Sequence, residues 1–222
     1  ARQKELWARA WSGEPVDDVI VSTFADLARR KGFDPAWVDA FFHSMELDLS
    51  RSTYQTIAQT LEYIYGSAEV IGLFMARIMD LPQQADHAAR MLGRSMQYIN
   101  FLRDVAEDAG LGRTYLPLEG TPFAGLSRRE TADKADEFAA FMRAQLQLYR
   151  GWQSEAEKGY VFLPYRYRIP IKTAADMYNW TAARIAADPL VVYRRQVKPS
   201  KARIFLRILT NTLTPGKGGR HA

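Results

Sequence analysis

"LGRSMQYINFLRDVAEDAGLGRTYLP", residues 92–117, is the stretch on which the reading of this chain turns. On a helical wheel of about 100° per residue, Gln97, Asn100, Asp104 and Asp108 fall within roughly 60° of one line, while Leu92, Met96, Ile99, Leu102 and Ala106 lie mostly opposite. Two amides and two carboxylates thus share one face, a turn apart. Spacing alone leaves a bland reading open: a solvated face on a surface helix, with Arg103 and Arg113 nearby. A second reading rests on electrostatics. Asp104 and Asp108 are like charges on adjacent turns, which repel. They lie toward the C-terminal end of the pattern, where the helix dipole disfavours anions, and Glu107 adds a third acid. A divalent cation would compensate. Mg²⁺ takes one or two carboxylates and completes its shell with water and phosphate oxygens. Arg113 and Tyr115 follow Gly110 and Gly112, where a loop would aim them at the same phosphates.

Outward from this stretch the pattern is helical nearly throughout. Strand-like alternation is absent, and Gly and Pro fall between long periodic segments. The pattern predicts helices over 1–11, 16–32 (stopped by Gly32), 34–50 (Asp34 cap, Pro35 in the first turn), 53–79 (Thr53 as cap), 81–110, 127–164, 169–188 and 199–213. A Gly- and Pro-rich loop occupies 110–126, and a mobile tail is expected over 214–222.

The 222 residues, 47% hydrophobic and 12% aromatic, suit one large core, so a single all-α domain over 1–213 is expected. Cysteine is absent, which excludes disulfides, thiolate metal sites and thiol nucleophiles. A net charge of +5 favours anionic partners. Zinc spacings, RNP-like stretches and basic heptads are missing, so nucleic acid is not an expected partner. No apolar run reaches the ~20 residues of a membrane span. The nearest, "VIGLFMARIMDL" (70–81), is broken by Arg77.

The stretch 92–117 resembles the second aspartate-rich motif of the squalene/phytoene synthase family, roughly G-x-x-x-Q-x-x-N-x-x-R-D-x-x-E-D-x-x-x-G-R-x-Y-x-P. Gly93, Gln97, Asn100, Arg103, Asp104, Glu107, Asp108, Gly112, Arg113, Tyr115 and Pro117 all match. "LEYIYGSAEVIG" (61–72) resembles a second family helix through Leu61, Tyr63, Tyr65, Ala68 and Gly72, with Ile64 in place of the usual Cys and Glu69 in place of the usual Gly. "MELDL" (45–49) resembles a segment bearing an acid at Asp48, and "ADMYNWTAARIAADP" (175–189) resembles a tyrosine-bearing C-terminal helix.

The resemblance implies an isoprenoid-synthase-type helical bundle around a central cavity. It also implies head-to-head joining of two prenyl diphosphates with release of diphosphate. Two geranylgeranyl diphosphates giving phytoene through a cyclopropyl diphosphate is the leading expectation. Alternatives are a squalene or dehydrosqualene synthase using farnesyl diphosphate, and a non-catalytic scaffold member. Asp104 and Asp108, supported by Glu107, would bind Mg²⁺, with Mn²⁺ as a substitute; NADPH is needed only for squalene. Arg103 would orient a carboxylate or meet diphosphate, and Arg113, Tyr115 and Tyr178 would hold diphosphate, with Gln97 and Asn100 deeper. Tyr63 is either a proton-transfer residue or a core tyrosine, and Asp48 either a site acid or a partner of Arg51. Gly66, Ser67, Ala68 and Gly72 would leave room for a polyprenyl chain, and Phe41, Phe42, Phe74 and Phe101 either wall that tunnel or form plain core.

The family's first aspartate-rich motif, D-x-x-x-D, has no counterpart: "VDDVI" (16–20) has the wrong spacing. The chain starts in a mid-helix pattern, so that helix is expected to precede Ala1. The basic stretch "YRRQVKPSKARIFLR" (193–207), if not merely solvated, would meet a membrane surface. A cytoplasmic protein, peripheral at the inner membrane face, is the expected setting.

Overall fold

Local signals start and stop the first helices. In this computed structural model, which describes residues 2–213, α1 (Arg2–Trp11) leads to α2 (Val19–Lys31). Asp18 caps α2 by accepting from the Val21 N–H, and Gly32 closes it at φ 63. α3 (Pro35–Ser50) is capped by Asp34, whose side chain accepts from Ala36. The expected tail over 214–222 lies outside the described residues.

The helix expected over 53–79 is three pieces. Thr56, not Thr53, caps α4 (Ile57–Ile64) in a reciprocal capping box with Gln59. Thr53 instead forms a parallel bridge with Thr114, so its backbone is committed to the loop beyond the opening stretch. A π-helical turn over Tyr65–Glu69 separates α4 from α5 (Val70–Ile78).

The helix expected over 81–110 is also interrupted. A 3₁₀ turn leads into α6 (Asp86–Arg103), Asp104 leaves the helical basin at φ −98, ψ 14, and α7 (Val105–Gly110) follows. The prediction over 127–164 resolves into a short α8 (Arg128–Thr131), α9 (Ala135–Glu157) and a 3₁₀ turn. α10 (Tyr165–Ala187) carries Pro170 in its first turns, and a further 3₁₀ turn leads to α11 (Lys201–Leu213).

α6 is the central helix, packed along α9, α5, the π turn and α10. Two glycine contacts set how closely the elements approach. A Cβ on Gly93 would stand 2.3 Å from the Ala68 carbonyl oxygen, and one on Gly66 would stand 1.9 Å from that of Ala40. Gly66 therefore serves backbone contact between the π turn and α3 rather than room for a ligand.

Two apolar cores result. One surrounds α6 and α9 with Tyr98, Ile99, Leu102, Phe138, Met142 and Leu146. The other is an aromatic cluster of α1–α3 and α5, where Phe33 stacks on Phe74 at 4.7 Å and Trp7 on Trp11 at 5.3 Å.

Candidate functional site

α6 presents its Gln97–Asn100 face not to solvent but to a cavity of about 540 Å³. The bland reading of that face gives way for those two amides. The α6 residues along the cavity run from Ala88 to Asn100, about 18 Å at 1.5 Å per residue. The far end is apolar, with Met75, Met79 and Leu81. The near end is polar, with Gln97, Asn100 and Tyr178, the last from α10. The Asn100 Oδ1 is buried there with no hydrogen-bond partner, an arrangement that costs free energy unless something donates to it or binds it.

Of the small residues, Ser67, Ala68 and Gly72 line this cavity and Gly66 does not. Phe41, Phe42, Phe74 and Phe101 do not wall it. The first three belong to the aromatic cluster of α1–α3, and Phe101 stacks on Tyr115 at 4.5 Å. The walls are instead Met and Ala side chains at helical spacing, with Ile171 and Ala174 from α10. Met75, Met79 and Ala174 were not singled out from sequence, since their spacing matches ordinary core, and Leu92 and Met96, which the wheel sets mostly opposite the amides, line the same cavity as Gln97 and Asn100.

Past Asn100 the chain gathers charge. Arg103 grips Asp104 with two hydrogen bonds, Nε to Oδ1 at 2.7 Å and Nη2 to Oδ2 at 2.5 Å. The break makes Asp104 at once the C-cap of α6, its N–H donating to the Asn100 carbonyl, and the residue that opens α7, while the Asp108 N–H donates to the Asp104 carbonyl at 2.8 Å. The two acids therefore remain one turn apart. Burial, then the neighbouring Asp104 and Glu107 carboxylates, push the Asp108 carboxyl up to about 6. Glu107 itself is exposed. The chain reverses after α7 so that the Arg113 N–H donates to the Asp108 carbonyl at 2.8 Å, which sets Arg113 beside this cluster.

Asp48, Tyr63 and Tyr115 form one network. The Tyr63 hydroxyl donates to Asp48 Oδ2 and the Tyr115 hydroxyl to Oδ1, each at 2.9 Å. Arg113 Nη1 reaches the Tyr115 oxygen at 3.4 Å. Asp48 is thus no partner of Arg51, which pairs with Glu62 at 3.0 Å. Burial, with Tyr115 and Asp48 close by, raises the Tyr63 phenol above its ordinary range. The linkage among 48, 63 and 115 spans 67 residues of sequence, and no local signal announces it.

Tyr178 belongs to two spaces. It closes the polar end of the first cavity and also faces a second of about 540 Å³ between α10 and α11, which Arg103 borders as well. The fold thus gathers the predicted residues into three adjoining groups. Gln97, Asn100 and Tyr178 lie at the cavity mouth. Arg103, Asp104, Glu107, Asp108 and Arg113 form the charged break. Asp48, Tyr63 and Tyr115 form the buried network behind it.

The charged break suits a hard cation. Among the described residues no group of three or more acidic or histidine side chains forms a protein-only metal cage. Mg²⁺ does not need one. It takes one or two carboxylates and relies on substrate phosphates for the remainder, and Asp104 and Asp108 offer two carboxylates whose mutual repulsion a cation would relieve.

Comparison with known proteins addresses the chain as a whole. The sequence profile of the squalene/phytoene synthase family matches residues 2–203. The chain is 28% identical over 205 residues to a phytoene synthase of Pseudescherichia vulneris, covering 90% of this chain and 66% of that one. It is 30% identical over 207 residues to the chloroplastic phytoene synthase 2 of Solanum lycopersicum, covering 89% and 66%. It therefore spans just under two thirds of these relatives' length. Among solved structures, squalene synthase HpnC from Alicyclobacillus acidocaldarius superposes with a TM-score of 0.69 at 19% identity, over 89% of this chain and 73% of that one. A dehydrosqualene synthase in complex with ligand gives 0.71 at 16% identity, over 96% and 76%. At those identities the likeness shows a common fold.

Proposed function

Since this chain belongs to the squalene/phytoene synthase family, we propose that it joins two prenyl diphosphates head to head with release of diphosphate, and that two geranylgeranyl diphosphates giving phytoene are its reaction. One observation carries this reading. An apolar cavity ends in Tyr178 of α10 and in Gln97 and Asn100 of α6, the helix that runs on through Arg103 to Asp104 and, in α7, Asp108. A long apolar tail and a diphosphate head need that sequence of environments, one after the other.

The chain's residues divide the work by position. The cavity takes a polyprenyl tail and excludes water from the cation that forms when diphosphate leaves. Arg113 balances charge on the diphosphate, a poor leaving group until its charge is balanced, while Arg103 orients the Asp104 carboxylate. Asp104 and Asp108, with Glu107 beside them, would hold Mg²⁺, which when bound supplies the remaining positive charge. Gln97 and Asn100 orient oxygens without adding charge. Tyr178 is set to donate to diphosphate at the cavity mouth. The Tyr63 phenol, raised and bonded to Asp48, stays protonated at neutral pH. The proton lost as the cyclopropyl ring closes is therefore assigned to the released diphosphate.

Incubation of the purified full-length protein with Mg²⁺ and either geranylgeranyl or farnesyl diphosphate tests this. A C40 hydrocarbon from the first donor is expected. A C30 hydrocarbon from the second alone would reassign the donor, and no hydrocarbon from either would leave the non-catalytic reading.

A further inference from the structure

α11 shows two apolar faces, and among the described residues only one is covered. Ile204 and Ile208 line the second cavity, and Asn211 is buried, its Nδ2 donating to Thr173 at 3.1 Å and Asp176 at 2.9 Å. Arg207 Nε completes the dock on Asp176 at 2.8 Å. Burial alone would raise Asp176, but hydrogen bonds from Arg207, Asn211 and Lys172 hold it below the usual carboxylate range. At ~100° per residue, Ala202, Phe205, Leu209 and Leu213 form a second stripe on the side away from α10, while Leu206 lies at the edge of a groove shared with α10. Phe205 is 64% exposed, Leu209 44% and Leu213 77%.

Charge identifies what the stripe fits. Residues 189–213 contain Arg194, Arg195, Lys198, Lys201, Arg203 and Arg207 and no acid at all. Arg194 pairs with Asp188 and Arg207 with Asp176, whereas Arg195, Lys198 and Lys201 are exposed with no acid within ion-pair reach among the described residues. Lys201 falls on one border of the stripe on the same wheel, while Arg203 turns toward α10 and lies over the Trp180 ring at 5.0 Å. The surface continues past the helix end. The Tyr165 hydroxyl donates to the Thr212 carbonyl at 3.0 Å, and Tyr165 and Val161 are themselves exposed, next to an exposed Arg166. An apolar stripe rimmed by cations, with a tyrosine at its edge, is the pattern of a helix lying in a lipid interface. Among the described residues no helix is long and apolar enough to cross a membrane.

We propose that α11, with Val161 and Tyr165, seats this protein on the surface of an anionic lipid bilayer. Phe205, Leu209 and Leu213 enter the acyl boundary, and Arg195, Lys198 and Lys201 meet the headgroups. The seat would place the second cavity, which Ile204 and Ile208 roof, directly beneath the bilayer. It does not depend on the reaction proposed above, because vesicle binding is measured without substrate.

Flotation of the purified protein with vesicles of phosphatidylcholine alone, and of phosphatidylcholine and phosphatidylglycerol in equal parts, tests it. The protein is expected to float with the mixed vesicles, less so as salt rises, and not with phosphatidylcholine alone. Phe205→Glu/Leu209→Glu and, separately, Lys198→Glu/Lys201→Glu are each expected to weaken binding by about tenfold or more. The lysine pair lies off the docked face, so it remains informative if the first pair disturbs α11. No flotation on mixed vesicles, equal flotation on both kinds, or unchanged binding by the lysine variant would overturn the proposal. So would a wild-type dimer that Phe205→Glu/Leu209→Glu makes monomeric, since a second copy would then cover the stripe.

Discussion

α6 carries two clusters of acids and arginines, and they are opposites. Near its middle, Glu69 of the π turn is 0% exposed, and its carboxylate accepts from Arg90 Nε at 2.9 Å and Arg94 Nε at 2.7 Å. Each guanidinium also lies over an aromatic ring, Arg90 over Tyr65 at 5.4 Å and Arg94 over Trp152 at 5.3 Å. One acid meets two arginines, and the cluster is closed. At the helix end, three acids (Asp104, Glu107, Asp108) meet two arginines (Arg103, Arg113). Arg103 is spent on Asp104, and burial beside like charges pushes Asp108 up to about 6. Identical residue types thus make a staple in one place and an unsatisfied anionic site in the other. The difference is whether each carboxylate finds a cation: both oxygens of Glu69 accept from a guanidinium, whereas Asp108 is left beside like charges.

Breaking the closed cluster should have the largest effect. Glu69→Ala strands two cations against apolar surroundings. Allowing for the partial exposure of Arg90, the cost is about 3 kcal/mol, a fall in Tm of about 6–12 °C. Calorimetry reads this, and a fall of only a degree or two would mean that water already satisfies both arginines. Turnover per folded molecule should persist, because Glu69 does not line the cavity. Asp104→Ala should do the reverse. Turnover falls by about 10²–10³-fold, the loss typical of one group aimed at developing charge, while Tm falls less than in Glu69→Ala, because one arginine rather than two loses its partner and the repulsion between Asp104 and Asp108 is relieved. Wild-type turnover in that variant would remove Asp104 from the metal site. The smallest effect belongs to the network behind the break. Tyr63→Phe deletes one of the two hydroxyls on Asp48, a loss of about 1 kcal/mol. A urea midpoint unchanged from wild type would show that water replaces the hydroxyl.

How legible each feature was depends on how local its cause is. The ends of α2 and α3 were readable because Gly32, Asp34 and Pro35 act on their own turns. The break at Asp104 was not, since neither Pro nor Gly marks it and the Arg103 grip is a side-chain event. The π turn over Tyr65–Glu69 was unreadable too: Glu69 stands out in sequence only as an unusual residue, and its partners lie 21 and 25 residues away. The cap at Thr56 was misplaced to Thr53 although Gln59, three residues after Thr56, completes a capping box that Thr53 lacks; the bridge to Thr114 then commits the segment around Thr53 elsewhere.

The sequence by itself determined the all-helical class, the family and the row from Gln97 to Asp108, because helical periodicity and motif spacing are properties of neighbours along the chain. Tertiary structure decided what that row faces. It turned the amide pair toward a cavity instead of water, tied Asp48 to Tyr63 and Tyr115 rather than to Arg51, and left one apolar face of α11 uncovered. Which side of a helix is buried depends on surfaces brought together from distant segments, and a wheel drawn on one segment contains no information about the others.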